Sequence, residues 1–340
     1  MRTNSRHGRN LRVHSEVLSS GDPDLELRVV TNGRLRLAFL PAVGGRLLSL
    51  EVGGRELLWR NPAFFDASLR AVVPRGRWPT IDGSLASWSN VGGSKSWPAP
   101  QGWDGPGQWP GPPDATLDAG EWSWDEHWNG GTLEIEMTSP DDERTGLRIT
   151  RRFTIAPDDL RLRQRVEFTS IGSAAVRWAP WEVCQVNTSQ GVGVASSGIR
   201  VTTAGGTPLH QGDWWRRIRA IVGPDSVMIP VQDAVGKRGF ADATGRVEWI
   251  APDGAGLALC FEPDAHAEYP DGGARAEVWM QAPTPSPLEG LSGLHPDAYL
   301  AELEVLGPLA TLGPGEQAGL DIVWEVHAPS HATALVHESH

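Results

Sequence analysis

Short stretches in which polar and apolar residues alternate recur along this chain, separated by glycine and proline. The clearest cover residues 147–155 and 160–168, in which most arginines occupy one set of alternate positions and the apolar residues the other. A period of two is typical of a β-strand with one buried and one solvated face. The 40 Gly and 27 Pro are scattered rather than confined to linkers, which favours many short strands joined by turns. The sequence therefore predicts an all-β protein of mostly antiparallel strands.

With 340 residues the chain is long for one domain, but a large β-sandwich can reach this length. No internal repeat or interdomain linker interrupts the pattern, so we predict a single domain over residues 25–327. Residues 1–24 are polar and rich in turn formers, and we expect a flexible lead-in there and a flexible tail over residues 328–340. The one candidate for an amphipathic helix lies around residues 213–219.

Residues 60–130 lack this periodicity, and we predict a long loop insertion there. Eight of the 16 tryptophans of the chain occur in it, interleaved with prolines. Loops of this length inside a domain are usually functional or disordered, and the aromatic density argues against disorder. Two interpretations stay open: aromatic packing over the core, or an aromatic wall for a ligand such as a sugar. The tryptophans are Trp78, Trp88, Trp97, Trp103, Trp109, Trp122, Trp124 and Trp128.

Charge and hydrophobicity exclude several classes of partner. The net charge of −12 and the isoelectric point near 5.3 argue against nucleic acid or an anionic membrane surface. No apolar run approaches the roughly twenty residues of a membrane span, and the polar N-terminus lacks a signal core. We expect a cytoplasmic monomer or homodimer. Cys184 and Cys260 lack metal-ligand spacing and are interpreted as reduced packing residues, with a disulfide as the alternative.

Glu302 and Glu304 are the first candidates for catalytic chemistry. They lie two residues apart in a predicted strand over residues 299–305, so both side chains point to one face. Two neighbouring carboxylates repel each other, which raises the pKa of at least one and suits it to general acid–base catalysis. The alternative is a solvated outer face of the sheet.

Four further residues stand out from their surroundings. Lys95 and Lys237 are the only lysines of the chain. Arg46 follows a Gly-Gly pair that would let the backbone approach a ligand, and Tyr269 opens a Tyr-Pro-Asp-Gly turn. Each also has an ordinary interpretation, as a surface lysine or as part of a turn. No zinc pattern, P-loop, dinucleotide-binding glycine motif or nucleophile elbow occurs, so no metal or cofactor is predicted.

The order of the motifs resembles that of the galactose mutarotase-like (aldose 1-epimerase-like) superfamily. The resemblance covers roughly residues 25–327 through short motifs, and it implies a β-supersandwich whose concave sheet face binds a sugar. Three further stretches look like an uncharacterised branch of the superfamily: residues 90–101, 237–240 and 269–273. The general motifs are the hairpin and Gly-Gly-Arg turn of residues 32–50, the strand of residues 160–171, Leu303-Glu304, the Leu-x-Pro-Gly-Glu turn of residues 312–316 and the strand of residues 321–326.

The resemblance also implies roles for individual residues. In mutarotases a late-strand glutamate takes the proton from the anomeric hydroxyl, and a histidine protonates the ring oxygen. That glutamate matches Glu304, with Glu302 beside it. The segments that would carry the family's histidines correspond to residues 91–95 and 179–185, which contain none. A substitute proton donor is therefore needed, and the candidates are Lys95, Lys237, His127 and Tyr269.

These observations favour a carbohydrate-active isomerase of the aldose 1-epimerase type, acting on a small sugar or sugar-like ligand. The missing histidines leave open a carbohydrate-binding protein that kept the fold without the chemistry. A lyase or isomerase that acts on a non-sugar metabolite is a third possibility. The residues expected to contact the ligand are Arg46, Trp97, His127, Trp181, Gln185 and Tyr269.

Overall fold

The structure is a computed structural model that describes residues 12–101, 109, 111–291 and 293–330, with the backbone alone for residues 210–214. Twenty-two strands occur in this part of the chain. They are β1 (His14–Leu18), β2 (Leu27–Thr31), β3 (Leu35–Leu40), β4 (Arg46–Val52), β5 (Arg55–Glu56), β6 (Ser94–Ala99), β7 (Ser123–Asn129), β8 (Thr132–Thr138), β9 (Leu147–Ile155), β10 (Arg161–Ser170), β11 (Val176–Asn187), β12 (Gly198–Thr203), β13 (Leu209–Arg216), β14 (Ile221–Val222), β15 (Ser226–Pro230), β16 (Val235–Phe240), β17 (Ala243–Ile250), β18 (Gly256–Cys260), β19 (Ala276–Gln281), β20 (Leu300–Leu306), β21 (Ala310–Leu312) and β22 (Gln317–His327).

The strands form two large sheets whose pairings are antiparallel. The first sheet runs β1-β2-β3-β4-β6-β11-β20-β19-β16-β13, with β5 on β4 and β21 on β11. The second runs β14-β15-β12-β17-β18-β22-β10-β9-β8-β7. The predicted all-β fold class is confirmed. Helical structure in the described residues is limited to α1 (Pro270–Gly273) and 3₁₀ turns at Pro23–Leu25, Arg75–Arg77, Leu85–Ser87 and Ser189–Gly191. None of these helices is long or apolar enough to cross a membrane.

The main hydrophobic core lies between the two sheets. Strand alternation sends Leu303 and Val305 of β20 into this core, where both are completely buried. Phe153 of β9 and Trp324 of β22 meet there with ring centres 6.4 Å apart. Because the core takes the odd-numbered positions of β20, the even-numbered positions point to the opposite face of the first sheet.

One arginine departs from the predicted division between buried aliphatic and solvated arginine faces. Arg151 of β9 has no exposed surface and points into the core, where its guanidinium lies 2.9 Å from Glu182 Oε1 of β11. Glu182 also accepts a hydrogen bond from Gln164 Nε2 at 2.8 Å. Burial of the arginine is possible because the opposite sheet supplies the carboxylate, which the local alternation on β9 could not reveal.

Three expectations about local structure need correction. Residues 14–18, within the predicted lead-in, form β1 and pair with β2. The predicted loop insertion contains β6 and β7, a central strand of the first sheet and the edge strand of the second. Residues 213–216, within the helix candidate, belong to β13, because pairing with β16 outweighs a weak local helical pattern.

Other expectations stay predictions or fall outside the description. Residues 331–340, most of the predicted tail, lie outside the described residues, as do residues 1–11 and Trp103. Cys184 is buried, Cys260 is partly exposed, and both are free thiols. The disulfide alternative is therefore not found, and burial raises the pKa of the Cys184 thiol well above its ordinary value.

Candidate active site

Glu302 and Glu304 lie on β20, in the interior of the first sheet, between β11 and β19. Glu302 is opposite Gln185 of β11 on one side and Trp279 of β19 on the other. Glu304 is opposite Glu277 of β19. Directly opposed residues of antiparallel strands point to the same face. The register therefore gathers polar side chains from three strands on the face turned away from the core.

The first ion pair on this face joins Glu302 to Lys95 of β6. Lys95 Nζ lies 3.2 Å from Glu302 Oε1, which also accepts a hydrogen bond from Gln185 Nε2 at 2.7 Å. Lys95 is completely buried, with Nζ 4.7 Å from the ring centre of Trp97. Burial lowers the pKa of Lys95 by more than the attraction of Glu302 raises it. Glu302 is the more accessible partner, since 14% of its side chain is exposed.

The second ion cluster joins Lys237 of β16 to two buried carboxylates. Lys237 Nζ lies 2.6 Å from Glu277 Oε2 and 2.8 Å from Glu304 Oε2. It also lies 4.6 Å from the ring centre of Trp181, whose Nε1 donates a hydrogen bond to Glu304 Oε2 at 2.8 Å. Neither carboxylate has exposed side-chain surface, whereas Lys237 keeps 17%. Lys237 thus compensates two buried acids and is the one member of the cluster that retains exposed surface.

Burial and charge set the proton affinities in this cluster. Burial acts to lower the pKa of Lys237, but the attraction of Glu277 and Glu304 outweighs it and the pKa is raised. The pKa of Glu304 lies well above its ordinary value, chiefly because burial disfavours the charged carboxylate. Attraction to Lys237 lowers this pKa, whereas repulsion from Glu277 and Glu302 raises it further. Lys237 therefore stays an ammonium, and Glu304 keeps its proton to higher pH than an ordinary glutamate.

A cavity of about 130 Å³, here called the first pocket, lies over this face. That volume corresponds to on the order of ten water-sized groups, the scale of one monosaccharide. Glu302, Lys237 and Gln185 line it, while Glu304, Glu277 and Lys95 lie outside its wall. Indole rings form much of the remaining wall, and their flat apolar faces suit the carbon faces of a sugar ring. The rings belong to Trp88, Trp97, Trp181 and Trp279.

Two buried polar atoms of the pocket residues have no hydrogen-bond partner among the described residues. They are Nε1 of Trp97, a donor, and Oε1 of Gln185, an acceptor. Leaving a buried polar group unpaired costs about 1–3 kcal/mol. A hydroxyl group both donates and accepts, so a ligand rich in hydroxyls can satisfy both atoms.

Arg46 acts behind the pocket wall rather than in it. It is completely buried, pairs with the Asp118 carboxylate and donates a hydrogen bond to the Gly92 carbonyl at 3.0 Å. Asp118 Oδ2 in turn accepts a hydrogen bond from Nε1 of Trp88, at 2.8 Å. Arg46 therefore does not line the first pocket, and the ligand contact expected of it stays a prediction. Arg46 holds Asp118, and Asp118 orients the Trp88 ring that lines the pocket.

Substitution Trp88→Phe tests this support. An aromatic ring is kept, although phenyl is smaller than indole, and Asp118 loses a donor, so we expect a loss of about 1–3 kcal/mol in the free energy of unfolding. Urea denaturation measures this loss. The matched control is Trp128→Phe on β7, where the indole is 51% exposed and the change should be within about 0.5 kcal/mol. Equal losses in the two variants would contradict the assigned role.

Two other predicted ligand contacts lie away from the first pocket. His127 is an exposed residue of β7, the edge strand of the second sheet. The Tyr269 hydroxyl accepts a hydrogen bond from the Asp264 backbone N–H at 2.9 Å, and the Arg275 guanidinium lies 5.6 Å from its ring centre. Neither residue lines the first pocket, so the structure does not support either as a ligand contact or proton donor.

The structure brings the other predicted residues together. Glu302, Lys237, Trp97, Trp181 and Gln185 line the first pocket, with Lys95 and Glu304 beside them. Sequence reasoning missed three contributors: Glu277, Trp279 and the pocket role of Trp88. A signal for the first two was available, because they alternate on the same face of the strand predicted over residues 275–281. Among the described residues no group of three or more His, Cys, Asp or Glu is arranged to hold a metal ion.

No known family model matches the chain, and no curated protein sequence does. Solved structures do resemble it. A mutarotase candidate from Salmonella typhimurium has 14% identity and a TM-score of 0.57 over 94% of each chain. A galactose mutarotase-like protein from Lactobacillus casei has 12% identity and a TM-score of 0.53, covering 88% of this chain and 100% of its own. The protein has the galactose mutarotase-like fold.

The same fold occurs inside a longer relative. A TPR-domain containing protein from Parabacteroides distasonis matches 93% of this chain with 13% identity and a TM-score of 0.59. This chain spans 49% of that protein's length. At such identities the likeness establishes the galactose mutarotase-like fold and leaves the activity to be argued from the site.

Proposed function

We propose that this protein is a carbohydrate isomerase that interconverts the anomers of a sugar held in the first pocket. The observation that carries the proposal is the position of Glu302 and Lys237, a carboxylate and an ammonium that both line a tryptophan-walled pocket. The two residues flank Trp279 from opposite sides, one on each neighbouring strand. Their backbones are therefore roughly 10 Å apart, which lets two long side chains reach a single sugar ring between them.

Glu302 is the proposed general base. It takes the proton of the anomeric hydroxyl, and the bond between the anomeric carbon and the ring oxygen breaks to leave an aldehyde. Rotation about the next carbon–carbon bond, followed by the reverse steps, closes the ring to the other anomer. Of the two glutamates, Glu302 is the one that lines the pocket. The base role inferred for Glu304 from the family resemblance therefore passes to its neighbour in this proposal.

Lys237 is the proposed partner of the ring oxygen. Its raised pKa keeps it protonated in the resting protein. The ammonium donates a hydrogen bond to the ring oxygen, passes a proton to it as the carbon–oxygen bond breaks, and takes that proton back when the ring closes. The raised pKa makes Lys237 a weaker acid than a histidine, so its contribution is chiefly to stabilise the negative charge that develops on the ring oxygen. In this role Lys237 replaces the histidine that is missing from the corresponding segments. Glu277 and Glu304 act through Lys237, since they hold its ammonium and maintain its charge.

Nuclear magnetic resonance (NMR) exchange spectroscopy tests the proposal directly. The rate of α–β exchange is measured for a panel of aldoses with and without the protein, at a pH where spontaneous exchange is slow. We expect acceleration for at least one sugar that also gives a saturation-transfer signal. If every sugar that binds exchanges no faster than in buffer, the isomerase proposal is wrong.

A carbohydrate-binding protein without catalysis is the second candidate, and one observation favours it. Glu302 Oε1 is already engaged by Lys95 at 3.2 Å and by Gln185 at 2.7 Å, so one carboxylate oxygen is committed within the protein. A purely binding site would tolerate this, whereas a base has to use its other oxygen. Saturation transfer without exchange acceleration would favour this second candidate.

A further inference from the structure

A second cavity, of about 390 Å³, adjoins the first pocket. Five residues line both spaces, which places the two cavities side by side. The shared residues are Leu85, Trp88, Asn90, Gln281 and Leu294. One of them is Trp88, the indole that Asp118 orients through a hydrogen bond, so a ring held in place lines both spaces.

The second cavity follows the first pocket along β19. Gln281 lines both spaces, whereas Trp279, the preceding residue on the same face, lines the first pocket alone. Two residues of a strand span about 7 Å, which is the scale of one sugar unit. Glu302 and Lys237 do not line the second cavity. A ligand that fills both spaces therefore presents one end to the proposed catalytic pair and extends away from it.

The lining of the second cavity suits a neutral, hydroxyl-rich group. Trp59, which is 5% exposed, and Trp88 contribute aromatic rings to its wall, and Asn61 and Asp297 contribute polar groups. No lysine or arginine lines this space among the described residues, and Nε2 of its histidine, His295, already lies 3.0 Å from the Thr284 carbonyl oxygen. The Asp297 carboxylate accepts hydrogen bonds from hydroxyls but repels phosphate and carboxylate groups. The chemistry thus favours an uncharged sugar unit over a sugar phosphate or a uronic acid.

We infer that the ligand is a disaccharide, or the reducing end of a longer neutral oligosaccharide, and this inference rests on the proposed function. The reducing sugar occupies the first pocket with its anomeric carbon beside Glu302 and Lys237. The next unit lies in the second cavity, against Trp59 and Asp297, and fills about a third of it by the measure applied to the first pocket. Anomer exchange requires a free reducing end, which is why the chain of sugars runs outward in this direction.

The first measurement compares glucose and galactose with the reducing disaccharides maltose, cellobiose and lactose. Dissociation constants come from titration calorimetry, and exchange rates come from NMR. We expect at least one disaccharide to bind about tenfold more tightly than either monosaccharide. Disaccharides that bind no better than monosaccharides would overturn the inference, and exchange of a monosaccharide in the same experiment would leave the proposed function standing.

Ala86→Phe supplies the second measurement. Ala86 is exposed and lines the second cavity but not the first pocket, so a phenyl ring there fills one space and spares the other. We expect disaccharide affinity to fall about tenfold and monosaccharide affinity, which also reports correct folding, to stay within about twofold. Asp297→Ala, which also lies outside the first pocket, should show the same selectivity. Equal losses for both sugar classes in both variants would overturn the inference, and no binding of any sugar to the wild-type protein would overturn both proposals.

Discussion

Glu302→Gln should slow anomer exchange by about 10²–10⁴-fold, the usual contribution of a general base. The amide has nearly the same shape as the carboxylate and can still accept hydrogen bonds from Lys95 and Gln185. The substitution leaves the buried Lys95 without its anion and should cost some stability, so the folded variant has to be shown to bind the sugar before its loss of the proton-accepting group is read from the exchange rate. NMR exchange spectroscopy gives the rate, and saturation transfer checks that binding persists.

Two companion variants make this result decisive. Glu143→Gln is the same chemical change on an exposed residue in a turn far along the chain, and it should leave the exchange rate unchanged. Glu304→Gln alters the buried neighbour, which does not line the first pocket. If Glu302→Gln leaves exchange intact and Glu304→Gln abolishes it, the assignment of the base to Glu302 from the pocket geometry is wrong, and the base role that the family resemblance implies for Glu304 is favoured instead.

Lys237→Met should lower the free energy of unfolding by about 3–5 kcal/mol at neutral pH, because it leaves buried carboxylates without their cation. Glu277 and Glu304 have no exposed side-chain surface, so water cannot take the place of the ammonium. Urea denaturation at a series of pH values measures the loss. The double variant Lys237→Met with Glu277→Gln removes one of the stranded acids and should recover part of the lost stability.

The pH dependence of this loss has a definite sign. The pKa of Glu304 in the folded protein lies well above its ordinary value of 4.5, so folding favours the protonated acid. The stability gained from that protonation is fully present below the pKa of Glu304 in the unfolded chain. It is lost as pH rises through the raised pKa of Glu304 in the folded protein. Removing Lys237 raises this pKa further, since the ammonium opposes protonation. The cost of Lys237→Met should therefore shrink towards acid pH, and a cost independent of pH would contradict the buried-acid account.

Several features of the candidate site were accessible from local patterns. The spacing of Glu302 and Glu304 placed both on one face, and register on β20 bears this out. Lys95 and Lys237 were candidates for the site because they are the only lysines in an arginine-rich chain. Both prove to be partners of those two glutamates. The rarity of lysine and the alternation of polar and apolar residues are properties of the sequence alone, so they can be recognised before the fold is known.

Other features depend on which strands become neighbours. Arg46 and His127 had plausible sequence contexts, yet one is buried against Asp118 and the other lies on the edge strand of the second sheet. Glu277 is separated from Glu304 by a long connection, and nothing local indicates that the two face each other. Pairing between distant strands is set by the packing of the whole sheet, so a single stretch of sequence carries little of that information.

The sequence by itself determined that this protein is all-β and that the two glutamates of β20 point to one face. The reason is that alternation of polar and apolar side chains depends only on the order of neighbouring residues. Only the tertiary structure decided that Glu302 lines a pocket while Glu304 lies buried beneath Trp181 and Lys237. The physical reason is that burial of a side chain depends on what the neighbouring strands place over it. That difference between two adjacent carboxylates is what assigns the proposed base.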